Sequence, residues 1–358
     1  MKKFLKYLVI LLLILIIGGL IYVYPRLPIL NGYNAKMACS CAYFGNENPE
    51  QILAEDLNYF PVNLASVNFN KNEKSASASF FGLGKETAVY RPGLGCVVLN
   101  NPKESEARFS KPLYKNSRDS IQTYNINQVP QLTSGTNAAK LNIAFDKAFD
   151  ETGEFEKKTR ALLVVHRDTI IKEAYAPGFD KDSPLLGWSM TKSISNTLMG
   201  ILSKNNMVDI SQASGIAAWQ NDERKKITIN DLLQMQSGLD WEENYFQMSD
   251  VTEMLYDASS AYKRAIEAPY GYEPGTHWYY SSGTSNIISG VIRNIINDDA
   301  AYLKFPYDSL FYPLGIDNVQ METDGDGNYI MSSYCFMPAR AWAALGLLYL
   351  HDGIWNGK

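Results

Sequence analysis

The longest hydrophobic run stands at the N-terminus, where an uncharged stretch from Tyr7 to Tyr24 contains Leu11-Leu12-Leu13-Ile14-Leu15-Ile16-Ile17. Such a stretch is long enough to cross a bilayer as a helix. Lys2, Lys3 and Lys6 precede it, which keeps the N-terminus on the cytoplasmic side. No small-x-small cleavage site follows, and no cysteine stands where a lipoprotein signal needs one. Residues 1–24 are therefore expected to remain as a single-pass anchor rather than leave as a signal peptide. On either reading the rest of the chain is exported.

After the anchor, Pro25 to Ala35 reads as a short tether, and Pro49–Leu57 reads as a helix with proline at its first position. The period then changes to two. Ala65–Phe69 and Ser75–Phe81 flank Asn70-Lys71-Asn72-Glu73, and Thr87–Tyr90 and Cys96–Leu99 flank Arg91-Pro92-Gly93-Leu94-Gly95. Both patterns predict hairpins. Pro102 to Gly135 is polar and aperiodic, a linker expected to wrap over the main domain. Residues 25–135 thus form a small α/β extension and linker, with no chemistry of their own.

Over residues 136–358 helical spacing dominates. Asn137–Phe149 puts Leu141, Phe145 and Phe149 on one face. Ala161–His166 and Thr169–Tyr175, joined by Arg167-Asp168, predict an antiparallel hairpin. Ile194, Leu198, Ile201 and Leu202 form the buried stripe of the next helix. Ile227–Gln236 opens on the capping-box pair Thr228 and Asp231. Ser285–Asn297 and Ala341–Leu350 are strongly apolar helices. A hairpin followed by helices is an α+β layout whose sheet needs later strands to close it.

Composition refines this only slightly. A hydrophobic share of 46% and an aromatic share of 12% over 358 residues fit a folded globular chain. A formal net charge of -5 argues against a general nucleic-acid binder. Cys39 or Cys41 could pair with Cys96 in an oxidising compartment, with the choice left open by spacing alone. Cys39-x-Cys41 lacks the partners of a metal site.

Candidate chemistry gathers at Gly187-Trp188-Ser189-Met190-Thr191-Lys192. Ser189 and Lys192 are three residues apart and share a helix face. They sit at a helix N-terminus, where backbone N–H groups and the helix dipole favour negative charge. An acyl-transfer nucleophile needs such an adjacent base and such donors for its oxyanion. By itself the spacing equally describes a serine N-cap followed by a solvated lysine. Context decides. Glu273-Pro274-Gly275-Thr276-His277-Trp278-Tyr279-Tyr280-Ser281-Ser282-Gly283 is a Pro-Gly turn leading through aromatic residues into a helix.

Ser189-Met190-Thr191-Lys192 resembles the first motif of the penicillin-recognising serine hydrolases, the superfamily of β-lactamases and D-alanyl-D-alanine peptidases. Tyr280-Ser281-Ser282 resembles the Tyr-x-Asn or Tyr-x-Ser second motif of its class C branch. The flanks Leu186-Gly187-Trp188, Leu233-Gln234-Met235-Gln236-Ser237-Gly238-Leu239 and Ala344-Leu345-Gly346-Leu347-Leu348-Tyr349-Leu350 are most similar to the 6-aminohexanoate-dimer hydrolase-like members. The likeness runs from about Asn137 to Lys358. It implies a β-lactamase/transpeptidase-like fold, with an antiparallel sheet flanked by helices and a helical region beside it.

In such enzymes Ser189 would be the nucleophile, Lys192 would assist its deprotonation, and Tyr280 would shuttle a proton to the leaving group. A phenol with a free pKa near 10 is a poor base, and a neighbouring ammonium favours its ionised form. Tyr279 is the register alternative; Tyr280 is preferred because Ser281-Ser282-Gly283 follows it directly. Ser282 would face the substrate where many relatives carry asparagine, and Tyr245 resembles a substrate-contacting tyrosine. Read without the resemblance, Tyr280 is a buried phenol and Tyr245 a loop aromatic.

The superfamily's third motif, Lys-Thr-Gly or His-x-Gly on a sheet strand, has no convincing match. His351-Asp352-Gly353 has the letters but directly follows an apolar helix, so Gly353 reads as that helix's stop. The sheet is accordingly expected to be incomplete and the sequence to be C-terminally truncated. His166, His277 and His351 have no metal-ligand spacing, and Gly187-x-Ser189 lacks the closing glycine of a nucleophile elbow. Asp324-Gly325-Asp326-Gly327-Asn328 lacks the full calcium ligand series and reads as a glycine-rich turn. No metal and no cofactor are expected. The sequence thus points to a membrane-anchored serine hydrolase on the periplasmic side of a bacterial inner membrane. Its substrate would be a small-molecule or short oligomeric amide or ester, and nucleic acid is not a partner. The rival class is a non-catalytic binding protein that keeps the fold, or an inactive fragment.

Overall fold

Helix α1 (Lys2–Val23) continues through a 3-10 turn at Tyr24–Arg26 into α2 (Leu27–Tyr43), so that one helical rod runs from Phe4 to Tyr43. The computed structural model describes residues 2–99, 127–128, 136–153 and 156–357. The tether expected over Pro25–Ala35 is therefore helix instead. Pro25 and Pro28 each fall in the first turn of their segment, where a missing N–H breaks no hydrogen bond. Along α1 the described side chains from Phe4 to Tyr22 are exposed, whereas Asn31, Ala35, Lys36, Ala38 and Cys39 of α2 are buried.

Helix α2 lies along an antiparallel sheet of β1 (Ala65–Asn70), β2 (Ser75–Phe80), β3 (Leu83–Arg91) and β4 (Gly95–Val98), in that order. Both hairpins read from the alternating pattern are present, with Ala65 opposite Phe80 and Asn70 opposite Ser75 in the first. The Asn31 amide donates to the carbonyls of Leu83 and Gly84 at 3.1 and 2.6 Å. At the other end of α2 the Tyr43 hydroxyl donates to the carbonyls of Asn70 and Ser75 at 2.9 and 3.1 Å. The pairing left open by sequence is Cys39–Cys96, which ties α2 to β4, while Cys41 is a buried free thiol.

A second strap is ionic. The Lys36 ammonium meets the Glu322 carboxylate at 2.5 Å, with both side chains out of solvent. Glu322 also accepts from the Ser40 hydroxyl and the Cys96 N–H. Burial pulls the Lys36 amine below its usual range, and the Glu322 charge opposes that pull. One continuous hydrophobic cluster holds Ala38 and Ile52 together with Ile194, Trp219, Ile287 and Phe336. The N-terminal extension and the remainder therefore share a core.

Beyond residue 135, α3 (Thr136–Ala148) precedes the hairpin of β5 (Ala161–His166) and β6 (Thr169–Tyr175). Arg167 and Asp168, at φ 46° and 63°, make its two-residue turn. Asn127–Gln128 adds a short parallel pairing to β6; the rest of the expected linker Pro102–Gly135 lies outside the described residues. A third sheet has the order β7 (Leu185–Leu186), β9 (Cys335–Met337), β8 (Gln320–Met321). Helix α4 (Thr191–Lys204) follows β7. The capping box of Thr228 and Asp231 opens α5 (Ile229–Leu233) as expected. Helices α6 (Asp250–Tyr256), α7 (Ser282–Ile296) and α8 (Ala339–Leu350) lie further along, with shorter helices at Ala261–Ile266 and Asp299–Pro306.

The two discounted motifs make local hydrogen bonds. His351 hydrogen-bonds the Asp168 carboxylate at 2.6 Å, and Gly353 sits at φ 79° just beyond α8. The Asp324 carboxylate caps its own turn, accepting from the N–H groups of Asp326 and Asn328 at 2.9 Å each.

Candidate active site

The Gly187 N–H bonds the Cys335 carbonyl at 2.8 Å, so the pairing of β7 with β9 fixes the chain two residues before Ser189. A Cβ on Gly187 would lie 2.0 Å from the Trp342 ring, which leaves glycine as the residue that fits. Trp188 then adopts φ 45°, a left-handed conformation that a bulky residue takes only at a cost. That turn delivers Ser189, exposed, at the mouth of α4. Of the stripe read from the sequence, Ile194, Leu198 and Leu202 are fully buried and Ile201 is half-buried, and together they anchor α4 from below.

Lys192 lies one turn on. Its Nζ donates to Ser189 Oγ at 3.1 Å, to Ser282 Oγ at 3.1 Å and to the Ser332 carbonyl at 3.0 Å. Three oxygens around Nζ fix the side chain's direction. Two of them come from distant segments. Ser282 is the first residue of α7, whose N-cap Ser281 accepts from the Thr284 N–H at 3.0 Å. The helix thus begins ahead of the expected Ser285. Ser282, expected to face the substrate, is fully buried and holds the lysine instead.

Tyr280 presents its ring to Lys192, with Nζ 4.8 Å from the ring centroid. Among the described residues its phenol oxygen makes no hydrogen bond, neither to Ser189 nor to Lys192. Tyr279 is turned to other work: its N–H bonds the Met235 carbonyl at 3.0 Å and its ring stacks 6.5 Å from His277. Of the two registers, Tyr280 is the one beside the lysine.

Tyr245 is also brought in. Its hydroxyl lies 3.0 Å from Ser282 Oγ and 3.0 Å from Glu243 Oε1. Burial and the Glu243 charge together push its phenol well above the usual range, so it stays protonated. Glu243 was not singled out in the sequence, and it is the hub of this side of the site. Its carboxylate accepts from the Ser282 N–H at 2.9 Å, the Ser282 hydroxyl at 2.5 Å and the Trp241 indole at 2.6 Å. The available signal was the alternation Trp241, Glu243, Tyr245 just after the Ser237-Gly238 turn.

The result is a chain of contacts Ser189–Lys192–Ser282–Tyr245/Glu243, with an unpartnered phenol at Tyr280 beside it. An exposed hydroxyl next to an amine, at a helix N-terminus, can attack a carbonyl and have the resulting oxyanion met by backbone N–H groups. Among the described residues one further cluster has metal-type donors, Cys41, Glu47 and Asp56. Arg160 fills it, pairing with Glu47 at 3.2 Å and Asp56 at 2.6 Å.

A family model described as Beta-lactamase matches residues 146–329. No curated protein matches the chain. Among solved structures, the chain is similar to a putative 6-aminohexanoate-dimer hydrolase from Bacillus anthracis, at 21% identity and a TM-score of 0.54. That match covers 68% of this chain and 66% of the other, so the chain spans slightly under two thirds of that structure. A penicillin binding protein from Bacillus halodurans is similar at 14% identity and a TM-score of 0.43, over 55% of this chain and 71% of that one. The fold the chain shares with the Bacillus anthracis structure is α+β, antiparallel sheets packed with helices.

Proposed function

Since the chain belongs to the beta-lactamase family of serine hydrolases, we propose that it cleaves an amide or ester bond through an acyl-enzyme on Ser189. The observation that carries this reading is the 3.1 Å contact between Lys192 Nζ and Ser189 Oγ at the start of α4. Lys192, as the free amine, takes the Ser189 proton while Oγ attacks the substrate carbonyl. Backbone N–H groups in the first turn of α4 favour the oxyanion that forms. When the tetrahedral species collapses, Tyr280 gives its proton to the departing amine or alcohol. A water then attacks the Ser189 ester, losing its proton to the Tyr280 phenolate, and the Lys192 ammonium returns a proton to Ser189 Oγ as it leaves, which restores the free amine and the phenol. Tyr245, exposed and hydrogen-bonded to Ser282, contacts the substrate, a small molecule or short oligomer.

Helix α1 anchors the enzyme: its apolar window has a mean hydropathy of 2.8, and its described side chains from Phe4 to Tyr22 are exposed. Lys2, Lys3 and Lys6 before it support a catalytic part on the exported, periplasmic side.

Intact-mass measurement of the full chain in detergent, after incubation with a fluorophosphonate and with an acylating β-lactam, tests the reading. An adduct on Ser189 is expected, absent in Ser189→Ala and formed at least about a hundredfold more slowly in Lys192→Ala. A folded chain that accepts neither probe would belong to the rival class of non-catalytic binding proteins.

A further inference from the structure

The two ends of the β1–β4 sheet differ in kind. At one end the β1–β2 connection is Asn70-Lys71-Asn72-Glu73-Lys74, polar throughout. At the other, the β2–β3 turn is Phe81-Gly82, set between Phe80 and Leu83, and the segment Tyr59–Leu64 enters β1 beside it. Phe81 is 77% exposed, Phe60 79%, Leu83 44% and Leu64 39%. Phe81 also has φ 47°. A two-residue hairpin turn asks for asparagine or glycine at such a position, not a large apolar ring. Its ring meets Phe80 edge-on, 4.7 Å between centroids, yet stays mostly in solvent.

Helix α2 says what this end faces. The Leu27 side chain is packed on Gly84, and Asn31 holds the carbonyls of Leu83 and Gly84. The apolar end therefore lies beside the first turn of α2, at the point where α1 departs. The polar turn lies at the opposite end, against Tyr43. No loop intervenes between α1 and α2, so whatever surrounds the end of α1 is brought up to this rim.

We propose that the rim is a membrane seat. Phe60, Leu64, Phe81 and Leu83 enter the interfacial layer of the bilayer that α1 crosses, and Arg26 and Lys85 lie at headgroup level. The proposal rests on reading α1 as a membrane anchor. Aromatic side chains settle at that depth, and basic ones meet anionic headgroups there. Arg26 already stacks on Tyr22, 3.8 Å from its ring centroid, at the end of the apolar run.

The test uses the full chain in phosphatidylethanolamine–phosphatidylglycerol vesicles, with an environment-sensitive dye on a single introduced cysteine. Leu12→Cys reports on α1, Phe81→Cys and Leu83→Cys on the rim, and Asn72→Cys on the polar end. The native free thiols Cys41 and Cys335 are buried, and the unsubstituted chain controls for their labelling. Spin labels on the lipid acyl chains should quench positions 12, 81 and 83 at least about threefold more than position 72. Quenching at 12 with 81 and 83 no better than 72 overturns the seat and leaves the anchor standing. No quenching at 12 removes the anchor, and the seat falls with it.

Discussion

Glu243 shows how much of this site depends on a residue that touches no reacting atom. Its carboxylate fixes Ser282 from two directions and orients Tyr245, and Ser282 in turn holds Lys192. Glu243→Gln keeps the size but removes the charge that strengthens these bonds. Hydrogen bonds to a charged group contribute about 1.5–3 kcal/mol each. Acylation of Ser189 by a β-lactam or fluorophosphonate should therefore slow by about tenfold to a hundredfold, read from adduct formation against time. That Ser189 and Lys192 meet was legible because one helix face fixes their spacing, and that Tyr280 stands beside the lysine because a Pro-Gly turn and a serine pair frame it. Glu243 was not, because its role comes from a loop folding back over α7. Ser282 was legible as a site residue but not in its role. Ser282-Gly283-Thr284 has poor helix propensity, which hid that the Ser281 cap starts α7 there and points Ser282 inward.

Among the elements, the hairpins were read correctly because alternation and turn residues are local signals. Helix α2 was misread because Pro25, Pro28 and Gly32 look like breakers. Its burial depends on partners far along the chain: Asn34 donates to the Val62 carbonyl at 3.2 Å, and Lys36 meets Glu322. Lys36→Met should destabilise the protein by about 3–5 kcal/mol, since it strands a buried carboxylate. Denaturant unfolding measures this, and adding Glu322→Gln should recover much of the loss. On β3, burial, reinforced by the Asp257 charge, pushes the Glu86 carboxyl up to about 7 from an ordinary 4.5. Between those values the folded chain holds a proton that the unfolded chain releases, so this group's contribution to stability declines as pH rises. The melting temperature of Glu86→Gln, followed from pH 4.5 to 8, should lack that part of the decline.

For the whole molecule, the shared core makes the extension part of the fold rather than an appendage. No period in the sequence records such packing between distant segments. The Cys39–Cys96 disulfide closes a loop with a sequence separation of 57. A cross-link of that span stabilises by about 4 kcal/mol in the chain-entropy account. Its reduction should lower the melting temperature of the entire chain in one transition, as calorimetry would register, rather than release the extension by itself.

The unbroken rod from Phe4 to Tyr43 has a mechanical consequence. From Leu27 to Lys36 it climbs about 14 Å, and Lys36 faces Tyr334, whose ring lies 5.9 Å from that of Trp188. If α1 crosses a bilayer, as proposed, the stand-off of Ser189 from the lipid is set by helix geometry, because helix continues from α1 into α2. Helices lean further as a bilayer thins. Lipid thickness would then alter the pitch of the pocket's mouth, and with it the layer above the surface from which substrate is taken.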